Sequence, residues 1–294
     1  MGCAAGAVAA NSGALPARTR SGLKFATKRF LRIGVVLLGF SLSLVSIGAL
    51  GAPMIALVVI TLLSTLLATT WLGQKIGLGP ARSLLIGTGF AICGASAIAA
   101  MEENAGADDD DVAVAIAMVT LCGTAAMVIL PLLQAPLGLT DEQYGAWAGA
   151  SVHEVGQVVA AAGPAGAAAV AVAIVVKLTR VLLLAPVVAG VSVRRRMRSE
   201  SARTETASRP PIVPAFVLGF LACVVLRSAG LVPDPLLPLL EALQTATLAA
   251  ALFGMGTGVH LRSLARNTGP ALVLSVLSTL LVAGIALAGV SILL

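Results

Sequence analysis

Residues 33–72 carry no charged side chain, and neither do residues 269–294. Uncharged apolar stretches of this length cross a bilayer as helices, since about 20 residues suffice. Only 11% of the 294 residues are charged and 58% are hydrophobic, whereas soluble domains carry about a quarter charged residues. The remaining charge sits in short connections. The chain therefore reads as an all-α polytopic membrane protein. Aromatics make up 3% of the chain and glycine accounts for 31 residues, so helix contacts depend on close approach of small side chains.

The hydropathy predicts nine spans, at about 33–50, 54–72, 83–101, 112–133, 145–162, 167–193, 212–229, 236–257 and 269–293. Residues 1–10 are apolar but too short to span, and read as the tail of a helix whose beginning is absent from the chain. With the basic interfacial segment carrying Arg18, Arg20, Lys24, Lys28, Arg29 and Arg32, they form a first region, 1–32. Residues 33–134 and 145–293 form two further units, the second containing a basic linker at 194–211. The positive-inside rule places Arg18 to Arg32, Lys75 and Arg82, the 194–211 linker, and Arg262 and Arg266 on the cytoplasmic side. The Asp108 to Asp111 run and Asp234 then fall on the opposite side. The four aspartates lack the alternating ligands and glycine of a calcium loop and read as a helix-start cap.

The net charge of +6 follows from topology and does not point to nucleic acid. Cys3, Cys93, Cys122 and Cys223 are too scattered for a zinc or disulfide pattern. No cofactor or metal is expected.

Three stretches place polar chemistry inside apolar runs. The first holds His153, Glu154 and Gln157. On one continuous helix these share a sector, and intramembrane ionisable groups are functional-site candidates. The stretch lacks the second histidine of H-E-x-x-H, so an intramembrane metalloprotease is disfavoured and the chain is not read as an enzyme. A polar network pinning helices remains the plainer alternative. The second stretch is Lys177 and Arg180, one turn apart and near mid-depth, expected to leave net positive charge for an anion after pairing with Glu154. The third is a pair of interruptions. Cys93, Gly94, Ala95, Ser96 and Ala97 form one, and Gly254, Met255 and Gly256, in the run to Gly258, form the other. Matching broken helices in two inverted halves point to a secondary-transporter site, with half-helix amides facing an anion.

Residues 24–29 (KFATKR), 92–100 (ICGASAIAA), 153–161 (HEVGQVVAA) and 177–186 (KLTRVLLLAP) resemble the YeiH-like sulfate exporter family over nearly the whole chain. The resemblance implies a bacterial inner-membrane transporter with NhaA-like inverted repeats and two broken, crossing helices, N-terminally truncated here. It also implies a homodimer. The chain departs from the family pattern at residues 101–106 (MEENAG), where a basic residue is lost. A second departure is Glu154, which stands in place of an aspartate.

The resulting expectation is a secondary transporter of a small sulfate- or sulfonate-like anion, coupled to H+ or Na+. His153 and Glu154 would couple the ion. Residues 93–97, Gln157, Lys177, Arg180, Gly254, Met255 and Gly256 would bind substrate. A channel or non-transporting scaffold is the alternative, and it has no need for paired broken helices with charge at mid-depth.

Overall fold

The structure, a computed structural model, describes residue 9 and residues 20–200, 215–257 and 269–294. Among them every regular element is helical. The elements are α1 (Arg20–Leu38), α2 (Leu44–Ala49), α3 (Gly51–Lys75), α4 (Pro80–Ala91), α5 (Ala95–Ala105), α6 (Asp109–Gln134), α7 (Asp141–Ser151), α8 (Val155–Ala162), α9 (Ala167–Leu182), α10 (Leu184–Glu200), α11 (Ala215–Ser228), α12 (Leu237–Gly256) and α13 (Gly269–Leu293). Among the described residues, four stretches are long and apolar enough to cross a membrane: α3, α6, α9 with α10 over Ala167–Met197, and α13.

Two of the expected spans are hairpins. The stretch expected as a span at 83–101 is split into α4 and α5. At about 1.5 Å per residue, twelve and eleven residues rise some 17–18 Å each, about half of a ~30 Å hydrocarbon core. Arg82, at the start of α4, pairs with Asp110 (2.8 Å) and Asp111 (2.7 Å), at the start of α6. Because α5 runs almost directly into α6, the chain must enter and leave on the same face. Gly89 packs across the hairpin on Ile98.

The stretch expected as a span at 145–162 behaves likewise. Tyr144, in the first turn of α7, donates its hydroxyl to the Ala161 carbonyl near the end of α8 (2.7 Å). Gly145 and Gly149 lie against the Ala169 and Ala173 carbonyls, so α7 runs parallel to α9 with almost no side chain between them.

The hairpins enter from opposite faces. Helix α6 spans from Asp109 to Gln134, and Gln134 donates to Asp141 at the start of α7 (2.9 Å). The α4–α5 hairpin thus opens on the face holding Arg32, Arg82 and Arg195, and the α7–α8 hairpin on the other. Ser192 to Asn104 (2.8 Å) and Arg195 to the Glu103 carbonyl bring the end of α10 back to the basic face.

This topology corrects one expectation. Asp108 to Asp111 lie on the basic face, not opposite it. Asp108 caps α6 by accepting from the Asp111 amide (2.8 Å), and Arg82 pairs with the carboxylates of Asp110 and Asp111. Asp141 and Glu142 lie on the opposite face, where Asp141 follows the Thr140 cap, whose hydroxyl accepts from the Gln143 amide while the Gln143 side chain accepts from the Thr140 amide. His260, Arg262, Arg266, Arg203 and Arg209 lie outside the described residues.

The helices sort into two bundles. Helix α1 packs on α11 and α12, whereas α3 to α10 and α13 pack around the hairpins. The bundles touch where α1 meets α5, α2 meets α9 and α12 meets α6.

Candidate functional site

The two hairpin tips meet in the middle of the larger bundle. At the first tip Ile92 leaves helical geometry (φ −116°, ψ −91°) and Gly94 adopts φ 72°, ψ −133°, a conformation that L side chains rarely take. At the second tip Val152 (φ −69°, ψ 145°) and Glu154 (φ −106°, ψ 148°) are extended. His153, Glu154 and Gln157 are therefore not on one continuous helix, as expected from periodicity. Glu154 is the N-cap of α8 and Gln157 lies in its first turn.

The second expected interruption lies at the end of α12, at the edge of the described residues. Helix α12 is helical through Gly256 and turns at Thr257, and Gly258 lies outside the described residues. Gly254 packs on Thr27 of α1 in the smaller bundle, away from the tips. Met255 and Gly256 belong to the same last turn. Among the described residues, a second irregular segment within an expected span lies at Val152, His153 and Glu154.

Lys177 and Arg180 are fully buried, and α9 aims both at the tips. Lys177 Nζ donates to the Ile92 carbonyl (2.6 Å) and the Val152 carbonyl (2.9 Å). The Arg180 guanidinium donates to Phe90 (2.8 Å), to Ala91 (3.0 and 2.5 Å) and to Ala150. These are the carbonyls left without intrahelical partners at the C-terminal ends of α4 and α7. Each helix end carries roughly half a negative charge, so two cations compensate two dipoles in a site closed to water. The expectation that these cations stand free for an anion is corrected. Arg180 spends its donors on backbone, and Lys177 joins the two tips directly.

The opposite ends of the half-helices face Glu154. A Cβ on Gly94 would come 2.6 Å from Glu154 Cγ, so the glycine is what lets the carboxylate approach. The carboxyl lies beside the Ala95 amide at the start of α5. Its Oε1 is buried with no hydrogen-bond partner. Cys93, Ala95 and Ala97 are buried around this point, and the Ser96 hydroxyl lies 3.1 Å from the Cys93 carbonyl and 3.0 Å from its sulfur.

Gln157 Oε1 accepts from the Glu154 amide (3.3 Å), and its Nε2 points to the Thr120 carbonyl and Thr124 hydroxyl, each at 3.5 Å. Gly123 on α6 leaves the room for it. His153 turns away from Glu154. Its ring centroid lies 4.4 Å from that of Phe90, and Nε2 is 3.3 Å from the Thr279 hydroxyl on α13. Thr120, Gly123, Thr124 and Thr279 were not singled out from sequence. Thr120 and Thr124, one helical turn apart on a single α6 face with Gly123 between them, were the available signal.

The structure thus brings residues 93–97, His153, Glu154, Gln157, Lys177 and Arg180 together and leaves Gly254, Met255 and Gly256 apart. Non-helical backbone at membrane depth is tolerated only where protein or a water-filled cavity satisfies it. Two tips satisfied by buried cations, beside a carboxylate at helix N-termini, define a multi-pass α-helical membrane protein with opposed hairpins.

The family described as "Conserved hypothetical protein 698" matches residues 4–275, and the chain belongs to that family. It is 44% identical over 275 residues to a UPF0324 membrane protein of Corynebacterium glutamicum, covering 94% of this chain and 79% of the relative. It is 37% identical over 267 residues to a UPF0324 membrane protein of Agrobacterium fabrum, covering 91% and 76%. A third, from Bradyrhizobium diazoefficiens, is 36% identical over 272 residues, covering 92% and 77%. These names state membrane location and no substrate. No solved structure matches the chain.

Proposed function

We propose that the protein is a secondary active transporter of a small anion of the sulfate or sulfonate class, with Glu154 as the coupling residue. The observation that carries this reading is the Glu154 carboxylate at the N-terminal end of α5, between two hairpin tips that enter from opposite faces. The C-terminal ends of α4 and α7 are neutralised by Lys177 and Arg180, so the dipoles left to attract an anion are the positive ends of α5 and α8. Glu154 holds that place itself. Binding an H+ or Na+ there would neutralise it and free the amides near Ala95 and Ser96 for a substrate oxyanion, with Gln157 and Thr124 as neutral donors.

His153 has a different part in this reading. It is fully buried against Phe90 and Thr279 and braces the second tip against α13. The chain order supports an inverted pair, α3 with the α4–α5 hairpin against α6 with the α7–α8 hairpin. A scaffold has no need for such a pair. Homodimerisation is the further expectation from the family resemblance, and is tested by the mass of the purified protein.

The functional test is uptake of labelled sulfate and of a small alkylsulfonate into proteoliposomes under an imposed pH or sodium gradient. The parent should respond to one of the gradients. Glu154→Gln should still exchange anion but ignore the gradient. Absence of anion uptake by the parent, or an unchanged gradient response in Glu154→Gln, refutes the reading.

A further inference from the structure

A cavity of about 440 Å³, including its mouth, opens between the two bundles on the face away from Arg82 and Arg195. Ser41, Ser43, Ser46 and Arg227 line one side, and Ile174 and Leu178 of α9 line the other. Lys177, which joins the two tips, lies between those two α9 residues in sequence. The cavity is therefore one helix away from the Glu154 site.

We propose that this cavity is a binding vestibule for a small oxyanion, with Arg227 as its charge and the Ser43 and Ser46 hydroxyls as its neutral donors. Its role as the outer end of a transport path rests on the carrier reading above, but binding there does not.

Three observations converge on it. First, the backbone breaks here. Leu42 (φ −115°, ψ 125°) and Ser43 (φ −113°, ψ 127°) are extended between α1 and α2. At membrane depth such backbone must meet protein partners or water. The Leu44 amide finds the Ser228 hydroxyl (3.0 Å), and the segment around Ser43 faces the cavity.

Second, Arg227 is a cation on the face that the positive-inside rule leaves poor in cations. Its partner is Asp234, at 3.8 Å, with a side chain 90% exposed. A pair that long and that solvated contributes about 0–1 kcal/mol, so it leaves the guanidinium available to a ligand.

Third, the polar groups are arranged for an acceptor. The Ser41 hydroxyl donates to Gln244 (2.7 Å), which ties the turn after α1 to α12 and leaves the donor role to the other serines. Ser43 and Ser46 bring two further hydroxyls to the cavity wall on the same side as Arg227. A guanidinium with hydroxyls and an apolar back wall matches a sulfonate or sulfate, which has several acceptor oxygens and no donor.

The test uses the purified full chain carrying Ser46→Cys in a Cys3→Ser background, since Cys93, Cys122 and Cys223 are buried. Two thiol reagents are compared, the anionic 2-sulfonatoethyl and the cationic 2-trimethylammonioethyl methanethiosulfonate. Each rate is normalised to that of a free thiol in solution.

The anionic reagent should be favoured by about tenfold, the lower end of electrostatic focusing in a charged cleft. Sulfate should slow it, and adding Arg227→Gln should bring the ratio to near one. A normalised ratio near one with Arg227 present, or labelling that sulfate leaves unchanged, overturns the proposal. Anion uptake in liposomes without sulfate protection at this site sinks the vestibule and leaves the carrier reading standing. Protection without uptake does the reverse.

Discussion

Replacing Arg180 with methionine should unfold the centre of the molecule before it affects any ligand. The side chain is fully buried and serves the carbonyls of Phe90, Ala91 and Ala150. Methionine keeps the apolar stem and leaves those three carbonyls without a donor. Each orphaned buried group costs about 1–3 kcal/mol. The tips can relax toward Lys177, so the expected net loss is about 3–5 kcal/mol, the scale for breaking a buried charged contact. For a chain of this size 1 kcal/mol corresponds to roughly 2–4 °C, which predicts a fall of about 10 °C in the midpoint of thermal unfolding in detergent. Arg180→Lys should recover part of this, because a lysine retains charge but not the planar fork. A midpoint for Arg180→Met within about 2 °C of the parent would refute the reasoning. If the variant keeps that midpoint yet loses stabilisation by sulfate, Arg180 is an anion ligand and the carbonyl cage is misread.

Two other predictions follow from the hairpins. Gly94→Ala should lose about 1–3 kcal/mol, because φ 72° is strained for alanine and the new methyl would meet Glu154. The unfolding midpoint measures the first effect, and loss of the gradient response in liposomes measures the displaced carboxylate. Cysteines placed at Lys75 and Asp109 should be modified from the same side of the membrane, and one at Glu142 from the other. Modification at Asp109 from the side opposite to Lys75 would mean that the 80–105 segment crosses the bilayer rather than returning.

The sequence by itself determined that the chain lies in a membrane, where its long helices fall, and which residues carry chemistry. Bilayer thickness and the cost of burying charge act on local composition, so residues 54–72 and 269–294 were legible as spans, whereas the span expected at 33–50 is broken at Leu42 and Ser43, and His153, Glu154, Lys177 and Arg180 were legible as residues of interest. Gly94 was legible as a weak point in a helix, because glycine alone favours the conformation found there.

What hydropathy did not distinguish is a helix that crosses from one that turns back. Two half-length helices and one full-length helix contain the same number of apolar residues, so 83–101 and 145–162 read as spans. Only the packed structure separates them, through contacts such as Arg82 with Asp110 and Asp111, or Tyr144 with Ala161. The role of the cations was hidden for a similar reason. Lys177 looked free for an anion because its partners are backbone carbonyls, which every residue possesses and no composition reveals. One of them, on Ile92, is 85 positions away. The fold brings that carbonyl to the lysine, and the need to satisfy two helix ends where water is absent decides what the charge does.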